Sequence, residues 1–356
     1  MAVKYFHLKV KEVVRETSDA VTIHFWQPLS EQIKYQPGQF LTLMPVIDGQ
    51  KVRRAYSMSS SPHTDAAPAV TVKRVPSGLV SNWLNDHLKA DDFLEVMEPM
   101  GHFMVEADAR NSRTVVLIGA GSGITPLMAI AKSILKIEAE SRVVLLYGNR
   151  NEDSIIFYEK LRELAVQFGD RLVVKHSLSQ PLDGGWTGHV GRLNKTQILR
   201  LLEGVADFTP ASCDYYICGP DGLMDEAERA LAILEVAPAR VHKESFVSST
   251  ATHGEVVEDQ EDDSLKAQEV TILYEGSEYK FMVAPHQTIL EAALDLDIDL
   301  PYSCQAGMCT ACLGKCTAGK VKLDEEDGLT DTELKAGFVL TCVAHPLSKG
   351  VVIEVE

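Results

Sequence analysis

The sequence has little positive charge to spare. Its 51 Asp and Glu outnumber 34 Lys and Arg, a net charge of −17. That excludes nucleic acid as a partner, because holding a phosphate backbone needs clustered cations. Long apolar runs are also missing. The longest stretch, from Val115 to Leu135, is broken by Gly119, Gly121, Ser122, Gly123 and Pro126; a strand, a glycine loop and a helix fit it, and a membrane span does not. The opening residues MAVKYFHLKVKEVV alternate charged and apolar side chains and lack the apolar core of a signal peptide. Cysteines are few outside one region: there are seven, an odd number, and five lie beyond residue 300. A disulfide framework spread over the chain is thereby excluded. No repeat with a period of about 20–50 residues is present. The expectation is a cytoplasmic protein with neither nucleic-acid nor membrane partners.

At 356 residues the chain is long for one core and fits two or three domains. Its acidity is uneven. Residues 247–356 carry 21 acids and 7 bases, whereas residues 1–246 carry 30 and 27; the acidic third can be steered toward a basic protein patch, with simple solubility as the other reading of that charge. Residues 247–267, VSSTATHGEVVEDQEDDSLKA, have no aromatics and no periodicity, the composition of a flexible acidic linker.

Up to residue 108, short alternating runs (Val21–Phe25, Phe40–Met44, Val70–Lys73) are separated by Pro37-Gly38 and Asp48-Gly49, which predicts a small antiparallel β-barrel. A helix is expected over Leu79–Leu88. From 109 to 246 the rhythm becomes strand–helix alternation: TVVLIG, RVVLLYG, RLVVKHS and CDYYICG read as strands, Pro126–Ile137, Phe157–Phe168 and Asp221–Glu235 as helices. That is an α/β domain with a parallel sheet. Residues 268–356 offer the hairpin EVTILYEG–EYKFMVA, a helix over Ile289–Leu296, a cysteine loop and a last strand Val351–Val355, a compact α+β domain of the β-grasp kind.

Gly119–Pro126, GAGSGITP, sits between an apolar strand and a helix. Glycines let backbone amides approach a diphosphate, and the helix N-terminus adds positive potential. Ile124 stands where the last glycine of a full dinucleotide fingerprint would be, and a plain tight turn is the alternative. After the second strand, Arg150 favours a ribose 2′-phosphate and so NADPH, while Glu152 and Asp153 leave NADH open. In Arg54-Ala55-Tyr56-Ser57 the tyrosine can stack on an isoalloxazine, the arginine can pair with a phosphate and Ser57 can bond the flavin N5 edge. Gly78-Leu79-Val80-Ser81 opens a helix and suits a pyrophosphate. Cys218-Gly219-Pro220 ends a strand where open α/β sheets bind ligands. Taken singly, Tyr56 reads equally as barrel core and Cys218 as a small buried hydrophobe.

With these motifs in this order, residues 1–246 resemble the ferredoxin–NADP⁺ reductase superfamily, matching also at Pro37-Gly38-Gln39-Phe40. The resemblance implies that Tyr56 packs on FAD, that Arg54 and Ser81 bind its phosphates, and that Gly121, Gly123 and Thr125 face the nicotinamide dinucleotide. It places Cys218 beside the nicotinamide C4, and Glu244-Ser245-Phe246 matches the acid-x-aromatic ending of the module. FMN stays open, since reductases of the phthalate type carry it on a similar layout. Cys213 has no such match and reads as structural.

In PYSCQAGMCTACLGKC the spacing Cys304-x₄-Cys309-x₂-Cys312 lacks the paired knuckles of a zinc ribbon and the context of a thioredoxin site. With Cys342 thirty positions on, it is the plant-type [2Fe–2S] arrangement. Ala306, Gly307, Thr310 and Ala311 are small enough to bring amides to the sulfurs. Cys316 reads as a buried structural cysteine, and His189 and His345 carry no catalytic pattern. The whole segment 268–356 resembles a plant-type ferredoxin. The order of modules resembles the reductases of bacterial multicomponent oxygenases and of hybrid-cluster proteins. It implies an oxidoreductase that moves electrons from NAD(P)H through FAD and the cluster to a protein acceptor, with an oxygenase component as the expected partner. A stand-alone flavin reductase and a non-enzymatic metal-binding module are the alternatives.

Overall fold

The computed structural model describes residues 4–27, 32–182, 184–246, 267–285, 287–303, 305, 307, 309–324, 328–329 and 331–355. The chain divides into two compact units. The larger holds His7–Val52 and Tyr56–Val247, and the smaller Met1–Phe6, Arg53–Ala55 and Ser248–Glu356. The linker expected over 247–267 falls, but for its last residue, outside the described residues.

Six strands build the antiparallel sheet expected near the N-terminus: β1 (Tyr5–Thr17), β2 (Ala20–Phe25), β3 (Phe40–Met44), β4 (Arg54–Ser57), β5 (Ala69–Lys73) and β6 (Phe93–Met97), in the order β4-β3-β6-β1-β2-β5. The Met58↔Val70 bridge joins the continuation of β4 to β5 and closes the sheet into a barrel. Alternation explains its filling: Val21, Ile23 and Phe25 on β2, Leu41 and Leu43 on β3, and Val70 and Val72 on β5 are all buried. Helix α1 (Leu79–His87) packs against β5, with the Asn85 amide donating to the Val72 carbonyl at 3.2 Å. Strand β1 was not foreseen; the alternation of charged and apolar residues read as the lack of a signal-peptide core is a strand signal.

The next segment forms a wholly parallel six-stranded sheet. Its strands are β7 (Thr114–Ala120), β8 (Arg142–Asn149), β9 (Leu172–Leu178), β10 (His189–Val190), β11 (Asp214–Gly219) and β12 (Val241–Ser245), in the order β10-β9-β8-β7-β11-β12. Val115–Ile118 are fully buried because helices cover both faces. Helices α2 (Ile124–Ile137) and α3 (Tyr158–Phe168) lie in one core, and α4 (Lys195–Glu203) and α5 (Asp221–Ile233) in the other. The chain leaves β7 toward β8 on one side and returns to β11 on the other, so a ligand crevice opens at their C-terminal ends. Helix α4 was not foreseen. Asn194 caps it by accepting from the Gln197 amide, and Ile198, Leu201 and Leu202 bury its one apolar face.

In the smaller unit, β13 (Gln268–Tyr274) and β14 (Ser277–Val283) form the expected hairpin, turning at Glu275-Gly276 with both φ positive. The last strand, β19 (Val351–Val355), lies parallel to β13 and antiparallel to β15 (Leu313–Ala318), which pairs with β17 (Phe338–Leu340). Strands β16 (Val321–Leu323) and β18 (Ala344–Pro346) form a separate pair. Helix α6 (Ile289–Leu294) starts with a reciprocal capping box between Thr288 and Glu291 and buries Ile289, Leu290, Ala292 and Ala293. The multidomain architecture is as expected: barrel, parallel α/β sheet, and a β-grasp-like α+β unit.

Candidate functional site

The glycine loop closes the C-terminal end of β7. Gly121 has φ +55°, a left-handed turn that favours glycine. At Gly123 an added Cβ would collide with the Cys218 carbonyl, so glycine is what lets the loop lie against the end of β11. Ile124, at the position of the missing third glycine, is fully buried and belongs to the core beneath. Thr125 is buried with its hydroxyl donating to the Ser122 carbonyl at 3.0 Å, so it braces the loop from inside. A side chain on Gly219 would press on Leu223 and the Ala120 amide; Pro220 is exposed at the start of α5. The loop is a cradle lined by backbone.

Two residues that sequence reasoning missed also touch this loop. Tyr147 is fully buried, which pushes its phenol well above the ordinary range, and the phenol donates to the Gly121 carbonyl at 2.9 Å. The Lys73 ammonium, at the end of barrel strand β5, stands 3.7 Å from where a Cβ on Gly121 would be. At the end of β8, Arg150 is exposed, while the Glu152 carboxylate accepts from the Leu182 amide at 3.0 Å. Of the two acids that compete with Arg150 for the ribose, Glu152 is thus tied by one oxygen to the backbone, and Asp153 stands beside it in the same turn.

Barrel and parallel sheet meet at Ser57. Its hydroxyl donates to the Glu244 carboxylate at 3.0 Å, and Glu244 sits opposite Cys218 in the β11–β12 register. Cys218 is wholly buried, which, with the charge of Glu244 beside it, raises its thiol well above the usual range. A hydroxyl, a neutral thiol and a carboxylate from three strands therefore converge. The sequence reading placed Ser57 and Cys218 on the reaction path and noted Glu244 only as part of a motif. Phe246 packs, half-buried, on the core around α2 and α3.

Tyr56 is half-buried and Arg54 exposed on β4. The N-terminus of α1 has no side-chain cap at Gly78, so its first amides are open to an anionic group. Ser81 accepts from the Val75 amide at 3.0 Å, which leaves its hydroxyl proton to give. The open α1 N-terminus and the Ser81 hydroxyl fit an anionic group such as a flavin diphosphate.

Cys309, Cys312 and Cys342 are all buried; Cys304 lies outside the described residues. Cys342 is brought near Cys312 by the Thr341 amide, which donates to the Cys312 carbonyl at 3.1 Å, and by the Leu313↔Leu340 pair. Gln305 and Gly307 have positive φ, and Gly328 lies so close to the Gly307 carbonyl that a Cβ would collide with it. A tightly folded loop beside three buried thiols fits a sulfur-rich cluster. Among the described residues no three His, Cys, Asp or Glu side chains converge on a single metal ion; a [2Fe–2S] centre divides its four thiolates between two irons and asks for no such point. Cys316 is partly exposed rather than buried, a correction to the sequence reading: on β15 it packs at the edge of the core and its thiol donates to the Ala318 carbonyl at 3.3 Å.

Three family models match in the expected order: an oxidoreductase FAD-binding domain over residues 7–105, an oxidoreductase NAD-binding domain over 117–229, and a 2Fe-2S iron-sulfur cluster binding domain over 272–347. One component of the 1,2-phenylacetyl-CoA epoxidase of Escherichia coli is 36% identical over 99% of this chain and 98% of its own. The ferredoxin reductase component of 3-ketosteroid-9-alpha-monooxygenase of Rhodococcus rhodochrous is 37% identical over 98% and 96%. The chain belongs to the oxygenase reductases. It is a reductase built of FAD-, NAD- and 2Fe-2S-binding modules, and its fold is that of phthalate dioxygenase reductase, with a TM-score of 0.59 at 21% identity over 99% of this reductase and 98% of that chain. Among the described residues no helix of the reductase is long and apolar enough to cross a membrane.

Proposed function

We propose that this reductase takes electrons from NADPH and delivers them to an oxygenase component, the phenylacetyl-CoA epoxidase first, in the cytoplasm. The observation that carries the reading is the Ser57–Glu244–Cys218 convergence between the flavin barrel and the nucleotide sheet. When bound, the nicotinamide supplies a hydride, the flavin takes the pair and divides it, and the cluster relays single electrons.

The chain's own residues do the rest. The Gly119–Gly123 backbone, with the N-terminus of α2 behind it, holds the dinucleotide diphosphate, and Arg150 meets the 2′-phosphate. Lys73 adds positive charge at the same loop. Tyr56 stacks on the ring system; Arg54, Gly78 and Ser81 hold the flavin phosphates. Ser57 donates its hydrogen bond to Glu244 and so keeps an acceptor oxygen at the N5 edge, which has a hydrogen to offer only once the flavin is reduced. Cys218, kept neutral by burial, is a small uncharged wall that excludes water beside the nicotinamide; Gly219 and Pro220 shape that wall's rim, and Phe246 closes the far side. Cys304, Cys309, Cys312 and Cys342 hold the cluster. The modules run 1–108, 109–246 and 268–356, joined by the acidic segment 247–267. The similarity to the ketosteroid monooxygenase reductase supports a steroid hydroxylase as the second candidate acceptor.

The test is Cys342→Ser in the full chain, assayed with each purified oxygenase. Acceptor-dependent turnover should collapse while flavin reduction by NADPH persists; turnover that survives loss of the cluster would refute the route.

A further inference from the structure

Helix α2 carries the glycine loop at its N-terminus. Nine residues after Gly123, about 13 Å along the axis, it presents Lys132 and Ser133 to the barrel. The segment they meet, Ser61–Asp65, begins four residues after Ser57. The Lys132 ammonium, its side chain 10% exposed, pairs with Asp65 Oδ2 at 2.6 Å. The same oxygen accepts from the Ser61 amide at 2.6 Å and from the Thr64 hydroxyl at 3.1 Å. Beside it, Ser61 and Ser133 stand 2.7 Å apart, both fully buried. Ser133 has one proton and gives it to the Ala129 carbonyl at 2.8 Å, so the hydrogen between the serines comes from Ser61. Ser61 in turn accepts from the His63 amide at 3.1 Å.

With Lys132 buried and the Asp65 side chain 32% exposed, the pair is a poor way to gain stability, because desolvation of the ammonium and solvent screening offset most of the attraction. What it does supply is direction, and here each bond has a defined donor and acceptor. We propose that Lys132–Asp65, with Ser61–Ser133 beside it, is a positioning lock that sets the nucleotide loop against the flavin strand and so fixes the hydride-transfer distance. Lys132 and Asp65 touch neither binding site; they act through α2 at one end and the segment after β4 at the other. The inference rests on the oxidoreductase reading above.

The test uses the full chain with its flavin and cluster. Lys132→Met, Asp65→Asn, the double variant and Ser61→Ala are compared with Lys136→Met, an exposed position on the same helix. Three quantities are read: single-turnover flavin reduction at saturating NADPH, the long-wavelength charge-transfer absorbance with NADP⁺, and the Kd of NADP⁺. The lock predicts reduction slowed about tenfold with a weakened charge-transfer band and a Kd within about twofold of wild type. The double variant should be no slower than either single one, because both remove the same bond. Ser61→Ala, which removes one hydroxyl and no charge, should slow reduction about threefold. Wild-type rates and bands in the variants, or a loss confined to Kd, would overturn the lock. Absence of flavin reduction in the wild-type chain would instead sink the oxidoreductase reading, and the lock with it.

Discussion

Ser57 has one proton to give, and Glu244 takes it at 3.0 Å. Its oxygen is then left as an acceptor at the point where the barrel faces the sheet, and a methyl group in its place accepts nothing. Ser57→Ala should slow flavin reduction about a hundredfold while the affinity for NADP⁺ stays within about twofold, measured by anaerobic stopped flow and by titration; an unchanged rate would remove Ser57 from the reaction path. His176 makes a different residue-scale argument. Its ring lies among Tyr147, Tyr158 and Trp186, and burial lowers its pKa from 6.5 to about 4. Below pH 6.5 the unfolded chain takes up a proton that the folded chain refuses until about pH 4. The stability it contributes is thus complete above 6.5 and lost as pH falls toward 4, by at most about 1.4 kcal/mol per unit. Urea midpoints should drop between pH 7 and 5 in the wild type and drop less in His176→Phe; equal slopes would contradict the assignment.

At the scale of elements, what could be read from the sequence was local. β7, the glycine loop and α2 are adjacent in the chain, so a run of Val and Leu, three glycines and an amphipathic stretch are enough to find them. The cysteine spacing is likewise a local signal once Cys342 is added. β1 and α4 were harder, because each buries only one narrow face and charged residues are interspersed among its apolar ones. Glu244 was beyond reach as a partner of Ser57, since 187 residues separate them. Tyr147, Lys73 and the Lys132–Asp65 pair are of the same kind: their roles exist only where topology brings distant elements together. Between β8 and α3, Arg150 is exposed and Glu152 accepts from the Leu182 amide, which supports the NADPH reading proposed above. Arg150→Gln should raise the KM for NADPH about tenfold and leave that for NADH unchanged. An equal effect on both coenzymes would mean that Arg150 does not read the 2′-phosphate.

Across the whole molecule, charge and cofactor chemistry follow the same division. Residues 247–356 hold the cluster ligands and an excess of fourteen acids, while residues 1–246 are close to balanced. An acidic carrier favours encounter with a basic acceptor surface, whereas the nearly neutral remainder matches the FAD- and NAD-binding family models. Electrons that enter at the nucleotide sheet should leave through the cluster. Anaerobic titration with NADPH, followed in the visible spectrum, tests it most directly. The flavin and cluster bands should both bleach, with about one and a half equivalents of NADPH consumed per chain for two flavin electrons and one cluster electron. Bleaching of the flavin alone, with the cluster bands unchanged at excess NADPH, would contradict it.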